Sequence, residues 1–440
     1  MKNNNNLDAI YSLDTKINPL TAFPFGLQHI LAMFVANITP IIIVTGACGL
    51  SSQDTAMVIQ NAMIIAGIGT FIQLFPVWKI GSKLPIVMGI SFTFVSLACV
   101  IGSQYGYGTL MGAVLVGGII EGILGLFAKY WIKVVAPIVS ATVVTAIGFS
   151  LLSVGASSFG GGTGAIDFGS AENWILGTIT LASCLLFNIF AKGYLKQLSV
   201  LFGLVVGYIL ALFMHKVDFS SFNDVQIVAL PHLMPFEMNF NINAIVAFVL
   251  IFLVSATETI GDTSALASSG LGRDVTEKET SGSIACDGFV SSISSLFGCL
   301  PITSFSQNVG LVAMTKVVNR YAIASGALIM VLAGFFPAIG VLLSTLPSAV
   351  LGGCTIMMFG TIVVSGIQMI GKCGYSQRNV IIVALSLSVG LGFTQCSELF
   401  TIFPDIVKSV FAENCVAIVF VMAIILNIIL PKNMETHSNM

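Results

Sequence analysis

The chain has 440 residues, and the placement of its 17 lysines and arginines constrains the fold more than any other feature. They sit between long apolar runs, at 23–46, 56–78, 84–102, 108–128, 134–154, 174–191 and 197–214, then 243–268, 283–298, 300–315, 321–344, 347–370, 379–396 and 410–431. Lys2 and Lys16 precede the first run, and Lys432 follows the last. Lys79 with Lys83, Lys129 with Lys133, Lys192 with Lys196, Arg273 with Lys278, Lys316 with Arg320 and Lys372 with Arg378 occupy every second interval. The other intervals hold only Lys216 and Lys408. A water-soluble fold gives no reason for such alternation. A chain threading a bilayer does, because cytoplasmic loops collect Lys and Arg. The pattern predicts 14 spans, an even number, with both termini in the cytoplasm.

Composition excludes the alternatives. Only 8% of residues are charged and 56% are hydrophobic, against about 25% charged in an average soluble domain. A surface for two or three soluble domains cannot be assembled from so few charges, and disorder is excluded on the same grounds. The net charge of −2 suggests no nucleic-acid partner. Nine cysteines are scattered, mostly in apolar stretches where Cys behaves as a small hydrophobe, and no Cys/His spacing resembles a zinc site. The first 20 residues are polar, including Asn3 to Asn6, so the first run is expected to serve as its own insertion signal. The expected location is the plasma membrane, as a multi-pass protein.

The chain also repeats itself. Leu84-Pro85-Ile86 opens the third run and Leu300-Pro301-Ile302 the tenth; Pro137 opens the fifth and Pro347 the twelfth. The offset is seven runs. Seven is odd, so the second half enters the membrane inverted, the arrangement in which secondary transporters place a site at the midplane between broken helices.

Ionisable side chains inside a membrane are costly and mark function. The apolar runs contain His29, Glu121, Glu258, Asp262 and Asp287, with Glu413 at an edge. Glu258 and Asp262 are four apart, on one face of a helix, and can hold a proton or bond a polar ligand. Bland readings stand beside these: solvation of Asp262 at the cytoplasmic end, helix capping by Asp287, packing of His29, and a tie between glycine-rich helices for Glu121. In Leu300 to Lys316, polar residues precede Gly310 and an apolar stretch, as in an extended segment followed by a half-helix whose N-terminal N–H groups face a ligand. Counted from the repeated tripeptides, Ser91 and Phe92 match Gln307 and Asn308. An aromatic face beside amide and carboxyl groups suits a flat, hydrogen-bonding heterocycle.

Gln307-Asn308-Val-Gly310-Leu-Val-Ala-Met-Thr315-Lys316, with Gln28-His29, Ser91-Phe92, Glu258 with Asp262, and Asp287-Gly288, resembles the nucleobase–ascorbate transporters over residues 20–430. The resemblance implies an all-α membrane protein of 14 spans in two inverted sevens, with short extended segments in spans 3 and 10. It implies a core domain (23–128 and 243–345) and a gate domain (129–214 and 346–431). The remaining pieces are an N-terminal tail (1–22), an outer loop (215–242) and a C-terminal tail (432–440). It implies a homodimer and elevator-like movement of core against gate. Glu258 falls on the substrate-binding glutamate and Gln307 on the signature amide; Gln307 with Asp262 is similar to the purine branch, where uracil permeases carry Glu and His.

The expected function is proton-coupled import of a purine base, xanthine or urate. Glu258 and Gln307 would hold the base edge, Phe92 would stack on it, and Ser91 with backbone groups near Asn308 and Gly310 would complete the site. Asp262, Asp287 and His29 would form the coupling or supporting network, and Thr315 and Lys316 would close the signature. No cofactor or metal is implied, and carboxylates serve sodium coupling as well as proton coupling. The competing expectations are a uracil or other nucleobase symporter and a sulfate-type anion transporter or channel, which would favour a cationic site. An intramembrane enzyme is the last competitor, against which stands the absence of a His-Glu-x-x-His motif.

Overall fold

The computed structural model describes residues 9–132, 135–222, 226–412, 414–431 and 434. Lys2, Lys133, Lys432 and Glu413 lie outside them. The first half contains α1 (Pro19–Ala47), α2 (Ser52–Leu74), strand β1 (Met88–Ile90), α3 (Val95–Tyr105), α4 (Tyr107–Leu126), α5 (Pro137–Phe159), α6 (Ala171–Phe190) and α7 (Ser199–Phe213). The second contains α8 (Ile242–Leu271), α9 (Glu277–Leu296), β2 (Ile302–Ser304), α10 (Ser306–Thr315), α11 (Arg320–Gly334), α12 (Pro337–Ser344), α13 (Ser348–Cys373), α14 (Gln377–Gln395) and α15 (Cys415–Ile429). Among the described residues nine helices are long and apolar enough to cross a membrane, or ten if α11 and α12 form one span.

Polar residues at the helix starts explain several boundaries. The Asn18 side chain accepts from the Leu20 amide and Pro19 opens α1; Ser51 caps α2 by accepting from the Asp54 amide. A capping box of Thr276 and Glu279 starts α9. Asp287 is therefore in the middle of that helix and does not cap it. The run at 321–344, expected as one span, bends by 82° between α11 and α12. Pro337 is the cause: it disfavours helical backbone at Phe336, which is extended (φ −105°, ψ 93°). The last run likewise breaks, and Asn414 caps α15 by accepting from the Ala417 amide at 3.1 Å.

Packing falls into two groups. Helices α1–α4 and α8–α12 pack among themselves, with α4 on α9 and α11 on both α1 and α2; α5–α7 and α13–α15 form the other group, led by α5 on α13. The α4–α9 crossing is close enough to require glycine. A Cβ on Gly288 would collide with the Gly122 nitrogen and stand 2.6 Å from the Gly118 carbonyl oxygen.

The N-terminal tail is not wholly free. Ile10 is buried, its carbonyl accepts from the Val318 and Asn319 amides, and the Asn319 side chain donates to the Ser12 and Thr15 carbonyls. Arg320 pairs with Asp14, donates to the Leu74 carbonyl at 2.6 Å and lies over the Phe75 ring. The segment thus straps α11 to the end of α2. The segment around His232 is tied down too: Asn61 of α2 donates to the His232 carbonyl at 3.2 Å and to that of Phe297, after α9, at 2.8 Å.

Candidate substrate site

The two Leu-Pro-Ile segments meet inside the first packing group as an antiparallel ribbon. Met88 pairs with Ser304, Gly89 with Thr303 and Ile90 with Ile302. The Ser91 amide donates to the Pro301 carbonyl and the Phe305 amide to the Val87 carbonyl, extending the pair at both ends. The strands are two residues out of step with the tripeptides: Ile302 is inside β2, whereas Ile86 precedes β1. Matched by strand, Ser91 and Phe92 correspond to Phe305 and Ser306, not to Gln307 and Asn308.

Two strands in a membrane leave outer edges without water to satisfy them. Side chains from three other elements, α1, α2 and α9, take these N–H groups. Thr70 accepts from Met88 (2.9 Å) and Asn37 from Ile90 (2.7 Å), while Ser291 accepts from Ile302 (3.1 Å) and Asp287 from Ser304 (3.0 Å). Asp287 also accepts from the Thr259 hydroxyl at 2.7 Å and the Gln73 amide at 3.0 Å. It is 0% exposed, a bracket for the ribbon behind the cavity.

Each strand runs into a helix start, a 3-10 turn at Phe92–Phe94 leading to α3, and α10. Neither start carries a side-chain cap. Both N-termini border a cavity of about 370 Å³, lined by Ser91, Phe92, Glu258, Ser306, Gln307 and Gly310 among others. Unmet helix N–H groups make such a place receptive to oxygen acceptors. Glu258 accepts from the Thr93 hydroxyl (2.5 Å) and from Ser306 (3.3 Å), and Ser306 also reaches Asp262 at 2.8 Å. One hydroxyl has one proton, so Ser306 serves one of these acids at a time. Glu258 keeps acceptor capacity toward the cavity. Asp262 is only 8% exposed, so it is not the solvated end-group of the bland reading.

The Phe92 ring borders the cavity and meets Phe359 of α13 edge to face, with centroids 5.4 Å apart. A Cβ placed on Gly310 would meet nothing within 4 Å, so glycine leaves that wall open. Asn308 does not line the cavity: it is 1% exposed and its amide donates to the His29 backbone carbonyl at 3.4 Å. His29 is also buried, and among the described residues no hydrogen bond joins its ring to Glu258, Asp262 or Asp287. Thr315 and Lys316 end α10. The Thr315 hydroxyl donates to the Leu311 carbonyl, and Lys316 turns left-handed (φ 60°) and donates to the Ser269 carbonyl at 2.6 Å.

The facing wall comes from the second packing group and was not anticipated. Asn188 of α6, Lys196 and Gln197 before α7, and Thr361 with Ser365 of α13 line it. Their signal was present: Thr361 and Ser365 stand four apart in an apolar run, as Glu258 and Asp262 do.

Comparison with known proteins agrees with this geometry. A family model described as "Permease family" matches residues 20–399. Xanthine permease XanQ of Escherichia coli (strain K12) is 35% identical over 439 residues, covering 96% of this chain and 94% of that protein. Uric acid permease PucK of Bacillus subtilis (strain 168) is 35% identical over 386 residues, covering 87% and 90%. The transmembrane domain of a cyanobacterium bicarbonate transporter, BicA, shares the fold at 14% identity, with a TM-score of 0.56 over 94% of this chain and 99% of that one. Apolar helices, a membrane-embedded cavity bordered by two broken segments, and relatives matched over nearly their full length have one common explanation: this is a transporter and not an enzyme, and the chain belongs to the permease family of nucleobase–ascorbate transporters.

Proposed function

We propose that the protein imports a purine base, xanthine or urate, across the plasma membrane by proton symport. The observation that carries this is the convergence of Glu258, Gln307 and Phe92 on one cavity beside the uncapped start of α10. A carboxylate accepts the ring N–H groups of an oxopurine, an amide both donates and accepts along its edge, and an aromatic ring covers its face. The cavity's volume is at the small end of small-molecule sites, as suits one flat bicycle. Lys196 stands on the facing wall, but the wall with the two helix starts carries Glu258 and no cation, which speaks against a sulfate-type anion as cargo. The names of XanQ and PucK, at equal identity, support the purine branch and do not divide xanthine from urate.

The two packing groups support a core of 23–128 with 243–345 and a gate of 129–214 with 346–431, since the cavity has one wall in each. The crossed strands and the basic-residue alternation support two inverted sevens with both termini in the cytoplasm. In this reading the core, carrying Glu258 and α10, slides against the gate in an elevator movement, within a homodimer. Proton uptake by Glu258, backed by Asp262, neutralises the site for its passage through oil.

Competition for uptake of labelled xanthine tests the substrate class. Urate and other oxopurines are expected to block uptake and uracil is not. Gln307→Glu is expected to change the best competitor, shifting relative affinities about tenfold through loss of one amide donor. Uracil competing as well as urate, or a Gln307→Glu variant with unchanged selectivity, would contradict direct recognition of a purine edge.

A further inference from the structure

Glu121 stands outside the cavity, and its surroundings differ from those of the other membrane acids. It is 1% exposed, and neither carboxyl oxygen has a hydrogen-bond partner among the described residues. It lies on α4 between Gly118 and Gly122, the two residues that touch α9 at Gly288, and one turn from Gly117, which packs on Phe252 of α8. The Ser255 hydroxyl of α8 is buried and unpartnered as well, and it follows Phe252 by one turn as Glu121 follows Gly117, so both groups belong to the α4–α8 contact.

The facing charges are all acidic. Asp287 precedes Gly288, the α9 residue that Gly118 and Gly122 touch, and Glu258 follows Ser255 by three residues on α8. Asp262 follows Glu258 by one turn, and α3, also packed on α4, has no charged residue. A carboxylate on Glu121 would therefore be buried beside other acids with no donor and no cation. As a carboxylate Glu121 ties no helices together, since its oxygens have no hydrogen-bond partner among the described residues. A neutral acid resolves both problems: its O–H is a donor, Ser255 Oγ is an acceptor, and a small side-chain rotation joins them. Asp287 is the complement, a buried acid whose three donors suit the ionised form. Thr259 of α8 borders Asp287, its hydroxyl 2.7 Å from that carboxylate and 3.1 Å from the Ser255 carbonyl.

We propose that Glu121 is a second proton-binding site of this transporter, sharing one proton with Asp287 across α8 and holding it, against Ser255, in the conformation seen here. Transfer breaks the Glu121 O–H bond and forms one on Asp287, leaving a carboxylate on Glu121 and the total charge unchanged. Movement of the ribbon that withdraws the Ser304 amide from Asp287 drives the exchange.

Infrared spectra of the reconstituted protein test the proton without any transport. The wild type is expected to show the C=O stretch of a protonated acid in dry surroundings, absent in Glu121→Gln and displaced in Ser255→Ala. No such band, or a band that both variants leave in place, would overturn the proposal. Proteoliposomes test the part in coupling, which rests on the proton-symport reading. Each proton carried down a gradient of about one pH unit supports about tenfold accumulation. Glu121→Gln is expected to lose about that factor in accumulation relative to its own xanthine exchange, which needs no net proton movement. Undiminished accumulation with the wild-type pH profile would overturn the coupling role. If the wild type ignores the gradient, proton symport fails, and the infrared band still decides whether Glu121 holds a proton. If Glu121→Gln does not insert, Ser255→Ala carries both measurements.

Discussion

Glu258→Gln inserts and packs but does not accumulate substrate. The amide has the size of the acid and keeps one oxygen for the Thr93 hydroxyl, which now donates to Glu258 at 2.5 Å. What it loses is the charge and the ability to take up a proton. A hydrogen bond to a charged group is worth about 1.5–3 kcal/mol, so losing the contact to a purine N–H weakens binding by about 10- to 100-fold. Loss of this proton site uncouples substrate binding from proton uptake at Glu258. Uphill uptake of labelled xanthine, at matched amounts of protein in the membrane, is expected to fall to background. Full uphill transport by this variant would remove Glu258 from the coupling step.

Asp287→Ala fails for a different reason and at an earlier stage. Three donors converge on this buried carboxylate: the Ser304 amide, the Thr259 hydroxyl and the Gln73 side chain. Alanine strands the Ser304 amide, at a cost of about 1–3 kcal/mol, while the Thr259 hydroxyl falls back on the Ser255 carbonyl and Gln73 on Ser283. The ribbon loses its bracket on the β2 edge, and α10 loses the strand that aims it. The expected result is a loss of about 1–3 kcal/mol, read as a lower Tm of the detergent-solubilised protein and less protein in the membrane. Asp287→Asn, which keeps one acceptor, is expected to fall between. An Asp287→Ala variant with an unchanged Tm would show that the ribbon does not depend on this acid. The contrast with Glu258→Gln is diagnostic: one variant is present and idle, the other is scarce.

Much of this was legible in the sequence, for identifiable physical reasons. Charge is too scarce for a solvated surface, and the lysine–arginine alternation reports the membrane directly. The spacing of Glu258 and Asp262 put both acids on one helical face, and Ser306 does join them. The Leu-Pro-Ile segments were visible as breaks because proline and polar residues spoil an apolar helix. Their register was not visible. It is set by Thr70, Asn37, Ser291 and Asp287, side chains brought from distant parts of the chain to the outer edges of the ribbon. The start of α9 was legible and missed: Thr276 and Glu279 spell a capping box well before Asp287. The Asn308 side chain turns to the His29 carbonyl and away from the cavity, because adjacent residues on a helix point in different directions. The facing wall stayed hidden because Asn188, Thr361 and Ser365 resemble the ordinary hydroxyls and amides of packed membrane helices.

Gradient-driven uptake by the purified protein tests the central claim most directly. In proteoliposomes containing this chain alone, acidic outside and free of sodium, labelled xanthine is expected to rise inside above the external concentration and to drain when a protonophore is added. Uptake that never exceeds the external concentration, that survives the protonophore, or that requires sodium would contradict proton symport.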